Sequence, residues 1–357
     1  MLNMFSYIEG PPTMVAWFKN RQYVLAIAAG IIYGVGLRLI LHWPLGGPMN
    51  APRESMWYPN DLWVMSFGFL IVAPVTVGWI TIASTPSDGR YHWAGWIFRP
   101  WIAVLLSYAV LLLAVIEGAI CLIFALPVTL VCASIGGVAA GLAGRHRYRH
   151  GRATTLCLAV LPLALCAIEA QLDGPLAMRT VNTSTVIHAP VAVVWMNVKS
   201  VPRIDHEEVR RTWTHFIGFP LPVEATLDHD GIGGVRHATF EGGLLFVETI
   251  DEWQPEQRLG FTIAADTAHI PPTTLDEHVT IGGRYFDVLD GEYWLEPVAN
   301  GDVLLHLRSR QRLNTDFNAY AALWTDAVMR DLQESILEVV KHRCEAQAGR
   351  VSARLNP

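Results

Sequence analysis

The chain is poor in cysteine and lacks the spacings that mark metal sites. Residues 172–357 contain one cysteine, Cys344, so no disulfide can form within this half. The same half contains nine of the thirteen histidines, yet no CxxC, HxxxH or HExxH spacing accompanies them. The sequence therefore predicts no metal site and no cofactor. The other four cysteines lie in apolar runs, where cysteine acts as a small hydrophobic residue: Cys121, Cys132, Cys157 and Cys166.

Charge is scarce in the first half and mainly negative in the second. Residues 1–171 contain ten basic and six acidic residues, whereas residues 172–357 contain sixteen and twenty-six. An acidic half lacks the lysines and arginines that bind phosphate backbones, so a nucleic-acid partner is not expected. A GxSxG motif is also absent, and nothing else in the sequence supports a Ser/His/Asp triad.

Long apolar runs dominate the first half. Because a helix crosses a bilayer with about 20 apolar residues, residues 1–171 are predicted to form a membrane bundle of about five spans. The third and fourth runs are continuous, and Pro127 is predicted to break them into a helical hairpin. The five runs are 22–42, 62–84, 101–124, 127–144 and 154–171.

The positions of the basic residues predict the orientation of these spans. Lys19 and Arg21, Arg90 and Arg99, and the segment RHRYRHGR at 145–152 all fall on one side of a five-span bundle. That side is predicted to be the cytoplasm. The chain is then a multi-pass protein of the cell (inner) membrane, with a cytoplasmic N-terminus and an extracytoplasmic C-terminal half.

One acidic residue lies deep within the predicted spans. Glu117, in LLAVIEGAIC, is a candidate intramembrane acid because burying a carboxylate in a bilayer is costly. No basic partner for it is evident in the sequence. Glu169 lies at the end of its run and is expected to reach water. The small-xxx-small motifs GIIYG at 30–34 and GVAAG at 137–141 predict close helix packing.

The second half has the patterns of an α+β domain. A linker at 172–180 precedes a predicted domain at 181–346, and a polar tail at 347–357 follows it. TSTVIHAP predicts a strand, VAVVWMNVK a helix, and IDHEEVRRTWTHF a second, more polar helix. Six strand-like runs separated by Gly, Asn and Asp residues follow, then one long amphipathic helix from residue 318. This order predicts a curved antiparallel sheet that grips a C-terminal helix.

The second half resembles a known superfamily. The order of elements, the opening TSTVIHAPVAVVWMNV and the closing YAALWTDAVMRDLQESILEVVKHR are similar to the START-like, helix-grip (SRPBCC) superfamily, which includes polyketide cyclases/dehydrases and lipid-transfer proteins. GGRYFDVLDGEYWLEP at 282–297 resembles a subgroup that carries this domain after several membrane spans. The resemblance implies a cavity for a hydrophobic molecule. It does not by itself imply catalysis.

The candidate site residues lie on the predicted strands and the final helix. The general acid/base candidates are Glu248, His278 and Tyr293. His278 and Arg284 belong to a long segment, 266–286, that could gate the cavity. Arg308, Arg310 and Arg312 alternate along one strand face and are predicted to pair with acids. Candidate ligand-binding residues are Trp195, Phe246, Arg284, Tyr293, Ser309, Tyr320 and Trp324.

Three functions are compatible with these features. The first is a membrane-anchored protein whose extracytoplasmic START-like domain binds a lipid or another apolar small molecule, for which no catalysis is needed. The second is a cyclase- or dehydrase-type enzyme that uses an acid/base pair in the same cavity. The third is a ligand sensor coupled to the spans, although the short cytoplasmic segments offer no output domain.

Overall fold

A computed structural model shows two compact units, which are described separately. It describes residues 21–42, 66–85, 93–145, 152–169, 171–172, 175–266, 281–283 and 285–355. The first unit contains Met1–Glu117 and Cys121–Gly174, and the second contains Gly118–Ile120 and Pro175–Pro357.

Among its described residues, the first unit contains five apolar helices. They are α1 (Arg21–His42), α2 (Ala73–Ala83, preceded by a π-helical turn at Gly68–Val72), α3 (Trp93–Leu113), α4 (Ala119–Arg145) and α5 (Arg152–Glu169). Three stretches, Arg21–Leu41, Trp93–Leu113 and Ala119–Arg145, are long and apolar enough to cross a membrane. The helices at Gly68–Ala83 and Ala153–Glu169 are shorter.

The predicted helix break at Pro127 is wrong. Pro127 lies inside α4, and the chain instead breaks at residues 114–118, between α3 and α4. Val115 there adopts a φ of 55°, which a β-branched residue rarely does. The following Gly118 is the strongest helix breaker in this segment. Pro127 is the ninth residue of α4, so it removes one backbone hydrogen bond inside the helix without ending it.

Glycines allow the helices of this unit to approach closely. Helices α2 and α4 cross closely at Gly78 of α2 and Gly136 of α4. A Cβ at Gly78 would collide with the backbone of Ala133 in α4, and a Cβ at Gly136 would collide with the backbone of Val75 in α2. Gly137 and Gly141 of the second small-xxx-small motif contact Trp96 of α3 in the same way. The predicted role of this motif in helix packing is confirmed.

The second unit is a seven-stranded antiparallel sheet with a long helix against one face. The strand order is β1-β7-β6-β5-β4-β3-β2, so β1 and β2 are the edges. The strands are β1 (Leu176–Ile187), β2 (Pro222–Leu227), β3 (Val235–Phe240), β4 (Leu245–Gln254), β5 (Arg258–Asp266), β6 (Phe286–Pro297) and β7 (Val303–Asn314). The helices are α6 (Val191–Lys199), α7 (Trp213–Phe216) and α8 (Asn318–Leu355).

This arrangement confirms the predicted helix-grip fold. The helix α8 packs on β1 and β7, and α6 packs between α8 and the sheet. The structured elements extend further than the predicted domain limits. Strand β1 begins at Leu176, within the predicted linker 172–180, and α8 continues to Leu355, through most of the predicted tail.

The predicted second helix over IDHEEVRRTWTHF is mostly wrong, because only Trp213–Phe216 is helical. The preceding segment contains a turn at 206–208 and is anchored to α8 by Arg343. The Arg343 guanidinium donates to the Pro202 carbonyl oxygen at 2.8 Å and pairs with the Glu208 carboxylate at 2.6 Å.

The apolar core of the domain lies between α6, α8 and the sheet. The sheet contributes alternate residues of its central strands, as expected for a sheet with one covered face. The fully buried core residues include Ile187, Val194, Val198, Ile250, Leu259, Leu305, Leu337 and Val340.

Candidate functional site

The inner face of the sheet carries a buried cluster of three polar residues among apolar ones. Side chains alternate between the two faces of the sheet along β3 and β4, and Arg236 and Glu248 both point toward the interior. The two residues lie directly opposite each other in the β3–β4 pairing. Tyr293 of β6 lies on the same face and is also buried. This cluster brings together two residues predicted from the sequence, Glu248 and Tyr293, around a third that was not predicted, Arg236.

Arg236 is the centre of this cluster. Its Nε atom pairs with the Glu248 carboxylate, and its Nη1 atom donates to the Val198 carbonyl oxygen of α6 at 2.8 Å. The guanidinium carbon lies 4.5 Å above the ring of Phe261 and 5.5 Å from that of Tyr293. A buried arginine is therefore held by a carboxylate, a carbonyl and two aromatic rings, which together compensate for its lost hydration.

Burial changes the acid–base behaviour of the two titratable neighbours. It raises the pKa of the Glu248 carboxyl, and the adjacent Arg236 cation opposes this shift. Burial also raises the pKa of the Tyr293 hydroxyl, again opposed by Arg236. Tyr293 therefore remains a neutral phenol that can donate or accept a hydrogen bond. The cluster as a whole is close to electrically neutral, because the one cation has one carboxylate partner.

A second polar cluster joins α8 to β1 and β7. The Gln333 side chain donates from Nε2 to the Ser309 hydroxyl at 2.8 Å and to the Val181 carbonyl oxygen at 3.2 Å. Its Oε1 atom accepts a hydrogen bond from Thr183 at 3.0 Å. Ser309, a predicted ligand-binding residue, is thus buried beneath α8 and bonded to the helix.

A third polar group lies on the same inner face, two residues further along β7. Gln311 is 0% exposed, and its Nε2 atom donates to Oδ1 of Asp326 of α8 at 3.0 Å. Arg179 of β1 pairs with the same carboxylate. The Gln311 carbonyl oxygen Oε1 is buried and has no hydrogen-bond partner among the described residues.

The interior has two unlike ends. At the end where β4 finishes and β5 begins, Trp195 packs edge to face on the partly buried Trp253, with ring centroids 5.1 Å apart, and buried aliphatic residues such as Ile250 and Leu259 belong to the same cluster. Trp195, a predicted ligand-binding residue, belongs to this closed core. The C-terminal half of α8, with Leu337, Val340 and Cys344, covers the same end.

The opposite end of the interior is less completely covered. Here β3 ends and β4 begins, and Phe240 and Phe246 pack edge to face at 5.4 Å. Phe246, Tyr320 and Trp324, all predicted ligand-binding residues, are only partly buried. Tyr320 and Trp324 lie on the N-terminal half of α8, whose apolar residues are less buried than those of its C-terminal half. This region is called the open end below.

Two predicted residues cannot be placed relative to the open end. His278 and Arg284 both lie outside the described residues. The strands that flank this segment, β5 and β6, end and begin at the open end of the sheet.

The outer face of the sheet carries ion pairs, as predicted for the alternating arginines. Arg308 and Arg258 both pair with Glu292 of β6, and Arg310 pairs with Asp290. A depression of about 290 Å3 lies over this face, and paired charges line much of it. Because these charges are already compensated, the outer face does not form an anion site.

The first unit contains a buried ion pair that the sequence did not reveal. The Glu117 carboxylate accepts from Nε of Arg38 of α1, and both side chains are almost fully buried. The expectation that Glu117 lacks a basic partner is therefore wrong. Glu169, at the end of α5, accepts a hydrogen bond from the backbone N–H of Gly68 at 3.2 Å. It thereby satisfies an N–H group at the start of the π-helical turn.

The burial of Arg236 could have been predicted from the alternation of side chains between the two faces of its strand. In GVRHATFEG, Arg236 falls on the same face as Ala238 and Phe240, and opposite the face of His237. An arginine on an apolar strand face indicates a buried partner. In a similar way, Arg38 is the only charge between Gln22 and Ile40 of the first apolar run. Gln311 likewise falls on the strand face of Leu305, Leu307 and Ser309, whereas Gln333 gave no such signal because glutamine is common on exposed helix faces.

The second unit is similar in structure to several solved proteins. A START superfamily protein from Mycobacterium smegmatis is 8% identical and covers 47% of this chain and 98% of its own, with a TM-score of 0.32. Truncated norcoclaurine synthase from Thalictrum flavum is 8% identical and covers 48% of this chain and 95% of its own, with a TM-score of 0.30.

A putative uncharacterized protein from Rhizobium leguminosarum is 14% identical and covers 48% of this chain and 99% of its own, with a TM-score of 0.30. No family model matches the chain, and no curated protein matches it. The assignment of the helix-grip fold rests on the strand order and the position of α8.

Proposed function

We propose that this chain is a membrane-anchored binding protein whose START-like domain holds a lipid or another hydrophobic small molecule. The ligand lies between the inner face of the sheet and the N-terminal half of α8. It enters at the open end, near Phe246, Tyr320 and Trp324.

The observation that carries this proposal is the difference between the two ends of the interior. Trp195 and Trp253 fill the closed end together with fully buried aliphatic residues. At the open end, aromatic residues on the inner face and on α8 remain partly exposed. Partly exposed aromatic side chains at one end of an otherwise covered interior favour a site for an apolar ligand there. Burial of the ligand there contributes roughly 25 cal/mol per Å2 of apolar surface.

Polar groups along the inner face give the ligand its orientation. Tyr293 and the Arg236–Glu248 pair lie between the closed and open ends. Because the charges of this ion pair compensate each other, the cluster favours a ligand group without charge, such as one that can share a hydrogen bond with the Tyr293 hydroxyl.

The five apolar helices are the proposed anchor. Three are long enough to span a bilayer by themselves, and two shorter ones pack within the same unit. With five spans, the basic residues before the first span, between the second and third, and between the fourth and fifth favour a cytoplasmic N-terminus and a START-like domain outside the cytoplasm. The anchor then keeps the binding domain close to the lipid surface of the cell (inner) membrane.

Native mass spectrometry of the full chain, released from mild detergent, tests the proposal. We expect a stoichiometric apolar adduct that is lost in Trp324→Asp, which puts a charge at the open end. Ile232→Asp is the matched control, because Ile232 is 71% exposed and lies in the β2–β3 turn at the closed end. Retention of the adduct in Trp324→Asp, or its absence from a folded wild-type chain, would overturn the proposal.

A cyclase- or dehydrase-type reaction is the second candidate function. It is favoured by the position of Glu248 and Tyr293 around one arginine, with both pKa values raised by burial. Tyr293→Phe keeps the ring beside Phe261 and removes only the hydroxyl. If the domain is an enzyme, this variant loses turnover of the molecule that co-purifies but keeps its binding. Unchanged turnover would exclude Tyr293 as the acid.

A further inference from the structure

The orientation of the Gln311 side chain is fixed by its neighbours. Asp326 can only accept hydrogen bonds when it is ionised, and Arg179 pairs with its carboxylate. The Gln311 atom that faces Asp326 at 3.0 Å must therefore be the amide nitrogen. A flipped amide would bring a carbonyl oxygen against a carboxylate oxygen, which is repulsive. The carbonyl oxygen Oε1 thus lies on the branch of the planar amide that faces away from Asp326.

This carbonyl oxygen is an acceptor without a donor. Oε1 is fully buried and has no partner among the described residues. A buried acceptor costs free energy unless a donor reaches it. An acceptor of this kind inside a domain therefore indicates a place where a donor can bind. Gln311 lies on the inner face between Arg179 of β1 and Val288 of β6. It therefore belongs to the half of the interior where α8 is only partly buried.

The cations of the described inner face already have anionic partners. Arg236 pairs with Glu248, and Arg179 pairs with Asp326. An anionic ligand would bring a second negative charge to each of these pairs, and its oxygens would repel Gln311 Oε1. A neutral ligand with a hydroxyl group would instead donate to Oε1 without disturbing either pair.

We propose that Gln311 selects ligands that carry a neutral hydroxyl group, and that the site discriminates against carboxylates of the same chain length. This inference rests on the proposed binding function and adds to it the polar chemistry of the ligand. Gln311 acts as the acceptor, and Asp326 acts as a positioning residue that holds the amide in the accepting orientation.

Three probes with a dodecyl-length chain test whether the site prefers a hydroxyl donor, a polar group without a donor or an anion. The full chain in mild detergent is incubated with 1-dodecanol, dodecyl methyl ether or dodecanoate, and retained adducts are counted by native mass spectrometry. The alcohol is a donor, the ether is not, and dodecanoate is an anion. One net hydrogen bond predicts a preference of about two- to tenfold for the alcohol over the ether. Dodecanoate is expected to bind no better than the ether.

Gln311→Met tests the residue itself, because methionine keeps the length of the side chain and removes the acceptor. We expect the alcohol and the ether to bind equally to this variant, with binding of the ether unchanged. Leu305→Met is the matched control on the same face of β7 and should keep the preference. Asp326→Asn should weaken the preference, since the amide of Gln311 is then free to turn.

The outcomes distinguish this inference from the proposed function. If a folded chain retains none of the three probes, the binding function is overturned, and this inference with it. If the probes bind without preference for the alcohol, or if Gln311→Met keeps the wild-type preference, the role of Gln311 alone is overturned. If Gln311→Met does not fold, the wild-type series decides, since a preference for dodecanoate contradicts the inference directly.

Discussion

Arg236 and Glu248 face each other directly across β3 and β4, and their side chains, 4% and 9% exposed, form an ion pair inside the domain. Few positions in a small domain place both charges of a pair so far from water. The pair lies next to Val198 of α6 and Phe261 of β5, so it connects four elements of the fold.

The first prediction concerns the stability of this pair. Glu248→Gln leaves the buried Arg236 without a counter-charge, so we expect a loss of about 3–5 kcal/mol in the free energy of unfolding. The double variant Arg236→Met/Glu248→Met removes both charges and should be more stable than the single variant. Chemical unfolding of the full chain, followed by tryptophan fluorescence, measures the difference.

An exposed pair provides the control for that measurement. Asp290→Asn removes the partner of Arg310 on the outer face, where solvent screens the charge, and should cost less than about 1 kcal/mol. Equal losses of unfolding free energy for Glu248→Gln and Asp290→Asn would contradict the structure, because the burial of the Arg236–Glu248 pair would then have no effect on stability.

The second prediction compares two glycines. A Cβ at Gly291 of β6 would lie 2.5 Å from Cζ of Phe261, its register partner on β5. Gly291→Ala should therefore displace the aromatic ring and cost about 1–3 kcal/mol of stability. Gly349→Ala, in α8 with no atom within 4 Å of the new Cβ, should instead stabilise by up to about 1 kcal/mol. Thermal unfolding of both variants should show shifts of opposite sign.

The third prediction concerns pH. The backbone N–H of Thr212 donates to Nδ1 of His215 at 3.0 Å, which caps α7 and requires an unprotonated Nδ1. Burial lowers the pKa of His215, and Arg211 lowers it further, whereas Asp331 and Glu241 raise it. The unfolded chain thus binds a proton at higher pH than the folded chain. The stabilising contribution is complete above about pH 6.5 and is lost as the pH falls through the lowered pKa.

His215→Gln tests this dependence, since glutamine at the third helical position can also accept from the Thr212 N–H but does not titrate. Unfolding midpoints of both proteins are measured between about pH 8 and pH 5. We expect the wild type to lose stability relative to the variant as the pH falls. A difference that stays constant over this range would refute the role of His215.

The fourth prediction concerns the first unit. Glu117→Gln leaves Arg38 uncompensated among apolar helices, so thermal unfolding in detergent should occur at a lower temperature, with a loss of about 3–5 kcal/mol. Arg38→Met/Glu117→Met should recover much of this loss. The pair would be shown to have no structural role if Glu117→Gln melted like the wild type.

Periodicity predicted the fold of the second unit because each element has one covered face. The alternation in DVLLHLRSRQRL placed the arginines of β7 on the outer face and Ser309 on the inner one, as the structure has them. The 3.6-residue spacing from residue 318 predicted α8. The residues at which each helix or strand begins and ends were less predictable. MRT at 178–180 is polar, yet it belongs to β1 because β7 offers backbone partners along its whole length.

In both units, the sequence did not predict which side chains far apart in the chain would pair with each other. Glu117 and Arg38 are 79 residues apart, and neither has a local pattern that indicates the other. The break between α3 and α4 was assigned to Pro127, because proline is the strongest helix breaker within that run. The structure instead continues α4 through Pro127 and interrupts the chain at residues 114–118, next to Glu117, whose partner Arg38 lies far away in the sequence.

Gln333 limits how α8 can respond to a ligand. Its amide bonds to β1 through Thr183 and Val181 and to β7 through Ser309. A slide of the helix by one turn, about 5.4 Å, would break all three hydrogen bonds and bury the amide without partners. A small tilt about residue 333 would keep these three hydrogen bonds, so the register of the helix would stay the same. For the proposed binding function, this predicts that ligands of different size change the angle of the N-terminal half of α8, within the limit set by the contacts of Asp326 with Gln311 and Arg179.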